Sequence, residues 1–179
     1  MSDKNYKIIK SSRLFNEKWY KNTYLKNTSE DPIKHYLEKG CKNNFNPSSE
    51  FNTKWYLDTN KDVKEIGMNP FVHYIVYGRK EGRLPNKSFD LKTKDSYALI
   101  LYSGLFDEEW FSKYYSLENT NIDPIKYYLD YCLVYGLNPS PDFDSMWYLE
   151  EYEDVKKVGM NPFAHYILYG KKEGRLPKL

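Results

Sequence analysis

The chain is poor in the residues that most metal and nucleophilic chemistry draws on. It has two cysteines, Cys41 and Cys132, in 179 residues. They form neither a Cys-x-x-Cys pair nor a metal-ligand spacing, so they are expected to be small, partly buried thiols. Only three histidines occur, His35, His73 and His165, each at the same place in a repeat described below, so no shared metal site is expected. There is no Gly-rich phosphate loop, no His-Glu-x-x-His and no Gly-x-Ser-x-Gly. No catalytic residue, metal or cofactor is therefore assigned, and the chain is expected not to be an enzyme. Charge is nearly balanced, at a formal net +2, which leaves no broad basic field for phosphate backbones and argues against nucleic-acid binding. No apolar h-region follows Met1, so no signal peptide is expected. No apolar run approaches the ~18 residues of a membrane span.

What the chain does have is tyrosine, 19 of them within an aromatic fraction of 18%. Tyrosine supplies core area and keeps a polar tip for hydrogen bonding at its edge. It also has repetition. Phe51 to Pro85 (FNTKWYLDTNKDVKEIGMNPFVHYIVYGRKEGRLP) matches Phe143 to Pro177 (FDSMWYLEEYEDVKKVGMNPFAHYILYGKKEGRLP) at 23 of 35 positions without a gap. Weaker copies open at Phe15 and Phe106, carry Asp31-Pro32 and Asp123-Pro124, and end near Asn46-Pro47 and Asn138-Pro139. The lead-in is also duplicated, Tyr6 to Phe15 aligning with Tyr97 to Phe106. Four copies thus form two pseudo-equivalent halves, 1–87 and 88–179, with a polar, Lys-rich linker over Asn86 to Asp95.

Helix signals recur in every copy. Asn16, Asn52, Asp107 and Asp144 stand at N-cap positions. The preceding Phe and the residue five positions on (Tyr20, Tyr56, Phe111, Tyr148) form a hydrophobic staple. The tryptophan between them (Trp19, Trp55, Trp110, Trp147) is expected to face inward. Asp142-Phe143-Asp144 has the form of a metal-binding Asp-x-Asp, but Asp144 is the repeat's cap and Glu50-Phe51-Asn52 is its counterpart, so a cap is expected. A second helix starts at Asp31-Pro32, Asn69-Pro70, Asp123-Pro124 and Asn161-Pro162. Its apolar stripe ends on a small residue, Gly40, Gly78, Cys132 or Gly170, suited to close approach by a neighbouring helix. Its stop is Asn44, Gly82, Gly136 or Gly174. A short middle helix is expected after Asp62-Val63 and Asp154-Val155, and a lead-in helix over Tyr97 to Ser103. The expected fold is all-α, built from short-helix tandem repeats.

One polar set stands out in the strong copies. His73, Tyr77 and Glu81 share a helix face at i, i+4 spacing, and Arg83 follows the cap; His165, Tyr169, Glu173 and Arg175 repeat it. An imidazole, an aromatic ring, a carboxylate and a guanidinium suit a hydroxyl-rich ligand, which makes these eight residues the ligand-binding candidates. Equally, Glu and Arg can pair to fix the turn, and His can serve the backbone.

The pattern Phe51-Asn52, Tyr56-Leu57, Asp62-Val63, Gly67-Met68-Asn69-Pro70, His73-Tyr74, Tyr77-Gly78 and Glu81-Gly82-Arg83-Leu84-Pro85, with its repeat from Phe143 to Pro177, resembles a module attached to bacterial and archaeal glycosyltransferases of surface-polysaccharide synthesis, rhamnan-synthesis types included. A similar module occurs in large surface proteins with hemolysin-type calcium repeats. The resemblance implies an accessory to other domains; together with the recurrent polar face it leads to the expectation of a non-catalytic module that binds carbohydrate, as surface glycan, or a glycan-synthesis protein, alone or fused to a glycosyltransferase domain, in the cytoplasm or at the membrane periphery as part of a larger protein. It does not bring calcium with it, because the Gly-Gly-x-Gly-x-Asp nonapeptides are missing. The rival expectation is a structural spacer or protein-interaction scaffold.

Overall fold

The computed structural model describes residues 3–179. It is all-helical: among the described residues there is no strand, only the isolated bridges Ser48–Phe51 and Ser140–Phe143. The chain divides into two compact units, Met1–Phe89 and Asp90–Leu179. That division falls two residues past position 87, and Phe89 is buried.

In the first unit, α1 (Asp3–Ser12) precedes α2 (Glu17–Tyr24) and α3 (Pro32–His35), which runs on into a π-helical turn at Tyr36–Gly40. Then come α4 (Thr53–Thr59), α5 (Lys61–Glu65) and α6 (Pro70–His73), the last continued by a π turn at Tyr74–Gly78. In the second unit, α7 (Ser96–Ser103), α8 (Glu108–Tyr114) and α9 (Pro124–Tyr135) are followed by α10 (Ser145–Glu151), α11 (Glu153–Val158) and α12 (Pro162–His165) with its π turn Tyr166–Gly170. The lead-in helix α1 packs on α3 and α6, and α7 packs on α9 and α12. Each lead-in tyrosine ties down a cap: the Tyr6 hydroxyl donates to Asp31 Oδ2 (2.9 Å) and the Tyr97 hydroxyl to Asp123 Oδ2 (2.6 Å).

Local signals account for the starts. The side chains of Asn16, Asn52, Asp107 and Asp144 each accept from the backbone N–H of the tryptophan three residues on, at 2.9–3.0 Å. The staples are closed, with ring centroids 5.1 Å (Phe15–Tyr20), 5.0 Å (Phe51–Tyr56), 4.9 Å (Phe106–Phe111) and 5.1 Å (Phe143–Tyr148) apart. Asp31, Asn69, Asp123 and Asn161 cap the second helices with Pro at the first helical position. Those helices stop where a left-handed residue stands, at Asn44, Gly82, Gly136 and Gly174. Each copy also closes on itself: Asn16, Asn52, Asp107 and Asp144 donate their backbone N–H to the carbonyls of Pro47, Pro85, Pro139 and Pro177 at 3.0–3.1 Å.

The tryptophans do not face inward. Trp19, Trp55, Trp110 and Trp147 are all only half-buried, while Tyr20, Tyr56, Phe111 and Tyr148 are 0% exposed. The staple selects the residue five positions after Phe, and on a helix the residue one step before it points about 100° away. Trp19, Trp110 and Trp147 instead lie edge-on against Tyr24, Tyr115 and Tyr152.

The small position on the second helix is occupied differently from the expectation of a neighbouring helix. A Cβ added at Gly40, Gly78 or Gly170 would overlap the hydroxyl of Tyr20, Tyr56 or Tyr148, the staple tyrosine of the same copy. That hydroxyl also sits 2.9–3.0 Å from Nδ1 of His35, His73 or His165. These three copies carry the π turns. The third copy has Phe111 for Tyr, Tyr127 for His and Cys132 for Gly, and there α9 runs as an unbroken α-helix. The π turn thus accompanies the buried hydroxyl, which takes the space a side chain would fill.

This arrangement predicts a coupled pair. Gly78→Ala should cost about 1–3 kcal/mol by overpacking, measured by urea denaturation. In a Tyr56→Phe background, which copies the Phe111 arrangement, the same change should cost less than about 1 kcal/mol.

Candidate functional site

Residues 60–83 and 152–175 bring the candidate side chains together within their own copies. In the first unit, α6 carries His73 and its π turn carries Tyr77. His73 is 6% exposed; Tyr77 is 50% exposed, its ring 5.6 Å from the imidazole. Past the helix end, Arg83 is held at three points. Its Nε donates to Glu81 Oε2 (2.6 Å), its Nη1 and Nη2 fork onto Asp62 (2.8 Å each), and Nη1 also reaches Asn60 Oδ1 (3.0 Å). Asp62 lies in α5, so the guanidinium ties the middle helix to the end of the second.

In the second unit His165 is 8% exposed, with the Tyr169 ring 5.4 Å away and 42% of Tyr169 exposed. Arg175 donates to Glu173 Oε2 (2.6 Å) and forks onto Asp154 (2.9 and 2.8 Å). Tyr152 stands where Asn60 does, and its ring lies 4.8 Å beneath the guanidinium. In the first copy the arginine position is Phe45, stacked on Tyr24 at 4.2 Å.

The eight candidates therefore divide. Arg83, Glu81, Arg175 and Glu173 are engaged in bidentate and fork contacts inside the fold. His73 and His165 are buried against tyrosine hydroxyls. Tyr77 and Tyr169 are the two that present substantial surface. Asp62 and Asp154, the central acceptors of the arginine forks, were not among the candidates; their signal was the recurrence of Asp-Val ahead of Glu-Gly-Arg. Asp142 is exposed, and Asp144 accepts from the backbone N–H groups of Met146 and Trp147 as a cap does. Among the described residues no group of three or more His, Cys, Asp or Glu is placed to hold a metal ion, and no helix is long and apolar enough to cross a membrane. Cys41 is half-buried, Cys132 is buried, and both are free thiols.

The electrostatics follow the contacts. Burial, assisted by the nearby Arg83 or Arg175 charge, holds His73 and His165 below the ordinary imidazole value. Burial likewise pushes the Tyr56 and Tyr148 hydroxyls well up, so they stay protonated beside Nδ1. The Arg175 fork lowers Asp154 to about 2, and Arg83 lowers Asp62 in the same sense.

A pH dependence results. The unfolded histidines take up a proton near pH ~6.5, the folded His73 and His165 only at lower pH. In that window the unfolded chain binds more protons, so stability is full above pH ~6.5 and is lost as pH falls through the folded values. The urea midpoint should therefore drop between pH ~7.5 and pH ~5.5. His73→Gln/His165→Gln should remove that decline. Comparison with protein-family models, curated proteins and solved structures gives no match for the chain.

Proposed function

We propose that the chain is a non-catalytic helical-repeat scaffold: four tandem copies arranged as two pseudo-equivalent halves, presenting surface to partners. The observation that supports this reading is the closure of the motif's charged side chains on one another. Arg83 and Arg175, which could have clamped a ligand carboxylate or hydroxyl pair, are each held by two carboxylates of their own copy. The conserved-looking Asp-Val…Glu-Gly-Arg spacing within this chain is then a device for anchoring α5 and α11. In keeping with the family resemblance, the scaffold is an accessory to glycan-synthesis machinery, working in the cytoplasm or at the membrane periphery as a fused or associated part of a glycosyltransferase.

A glycan-binding role is favoured by one observation, the exposed rings of Tyr77 and Tyr169 beside the buried imidazoles. An amphipathic ring with a free hydroxyl suits a sugar face. The two readings separate on a pair of variants. Arg83→Gln/Arg175→Gln should speed hydrogen exchange in α5 and α11 and leave binding on a glycan array unchanged, as the scaffold requires. Tyr77→Ala/Tyr169→Ala should leave the unfolding midpoint within about 0.5 kcal/mol. Loss of an array signal in that folded variant would assign the site to glycan binding instead.

A further inference from the structure

The third copy departs from the other three on its outer face. Where they carry His35, His73 and His165 it has Tyr127; where they carry Lys39, Tyr77 and Tyr169 it has Tyr131. The next positions diverge further. Lys42, Lys80 and Lys172 correspond to Val134, and Asn43, Glu81 and Glu173 correspond to Tyr135. Val134 is 69% exposed and Tyr135 64%; Leu133, 57% exposed, projects from the opposite flank of the helix. Tyr127, Tyr131 and Tyr135 form a ladder along α9 with centroids 4.9 and 5.7 Å apart. The repeat has no need of apolar residues at the last two positions: the other copies place Lys there, followed by Asn43, Glu81 or Glu173. Contiguous exposed aromatic and aliphatic surface of this kind marks an interaction site.

Charge indicates the occupant. Residues 1–89 hold 17 Lys and Arg against 10 Asp and Glu, a net +7; residues 90–179 hold 10 against 15, a net −5. The balanced total conceals two units of opposite sign. Within α9 itself Lys126 and Asp130 balance, so the sign at this face is set by the net negative charge of its unit. An anionic membrane or a nucleic acid would be repelled there. A basic surface would be attracted, and each chain brings one.

We propose that the exposed face of α9 docks on the basic first unit of a second copy of this chain, head to tail. The face and its receptor lie on different units, so one chain can give its α9 face to one neighbour and receive the face of another. Unless two copies close reciprocally, association proceeds past the dimer, and in either case it is weakened by salt.

The full-length protein is measured by light scattering coupled to size exclusion and by sedimentation over a range of concentrations. At low ionic strength the mean mass should rise with concentration beyond that of a dimer. It should fall back when salt is raised to about 0.5 M, where charges are screened within a few ångströms. Val134→Lys/Tyr135→Glu installs the pair that the two strong copies carry as Lys80-Glu81 and Lys172-Glu173 and leaves net charge unchanged. It should weaken self-association about tenfold or more while circular dichroism is preserved. Because that variant keeps its basic unit, adding it to wild type should cap the assemblies and lower their mean mass. A wild-type protein that stays monomeric at low salt overturns the proposal. So does a mass that stops at the dimer and ignores the capping variant, or a face that captures a basic peptide while the chain itself stays monomeric.

Discussion

The hydroxyl of a buried staple tyrosine, seated between a histidine ring and a glycine, sets the geometry around it. Tyr56 is fixed at one end by the Phe51 ring and at the other by His73 Nδ1 and the backbone of Gly78. A tyrosine has area enough to fill the core of so short a helix pair, but its hydroxyl must find a partner once buried. The histidine supplies that partner, and the glycine supplies the room. The helix accommodates the hydroxyl with a π turn. Where the hydroxyl is missing, at Phe111, the histidine and the glycine are missing as well, and the helix is regular. Three residues and a backbone irregularity therefore behave as one unit. Their joint substitution in one copy is what such a dependence would produce.

Around that unit the charged motif residues serve as clasps. Short helices leave many unpaired backbone groups at their ends, and here most starts are closed by an Asn or Asp cap, the second helix of each copy begins on Pro and ends on a left-handed residue, and a proline carbonyl meets each first-helix N-cap amide. The arginine forks add the middle helix, α5 or α11, which is only a few residues long and would be marginal unaided. The polar set therefore belongs to the architecture first. The surface left over for partners is aromatic: the half-exposed tryptophans, Tyr77 and Tyr169, and the tyrosine ladder of α9.

Much of the fold was legible in the sequence because its signals are local. Phe and Tyr five residues apart, an Asn or Asp followed by Pro, and Gly after an apolar stripe each speak about one turn of chain. The all-helical class, the N-caps, the staples, the helix stops and the middle helices all follow from them. The candidate site was legible only as a set of residues that share a face. Whether that face is open or closed depends on Asp62 and Asp154, each separated from its arginine by 21 positions. No helical periodicity connects residues so far apart.

By itself the sequence determined where helices begin and end, because capping and stapling are settled within a turn and need no distant partner. Only the tertiary structure decided which aromatic of each staple turn is buried, what fills the space at Gly40, Gly78 and Gly170, and where the arginines are held. Those outcomes are set by competition for a small core. The tyrosine fits there with its hydroxyl paired, the tryptophan is left at the edge, and the guanidinium forks onto the carboxylates that the fold brings within its reach.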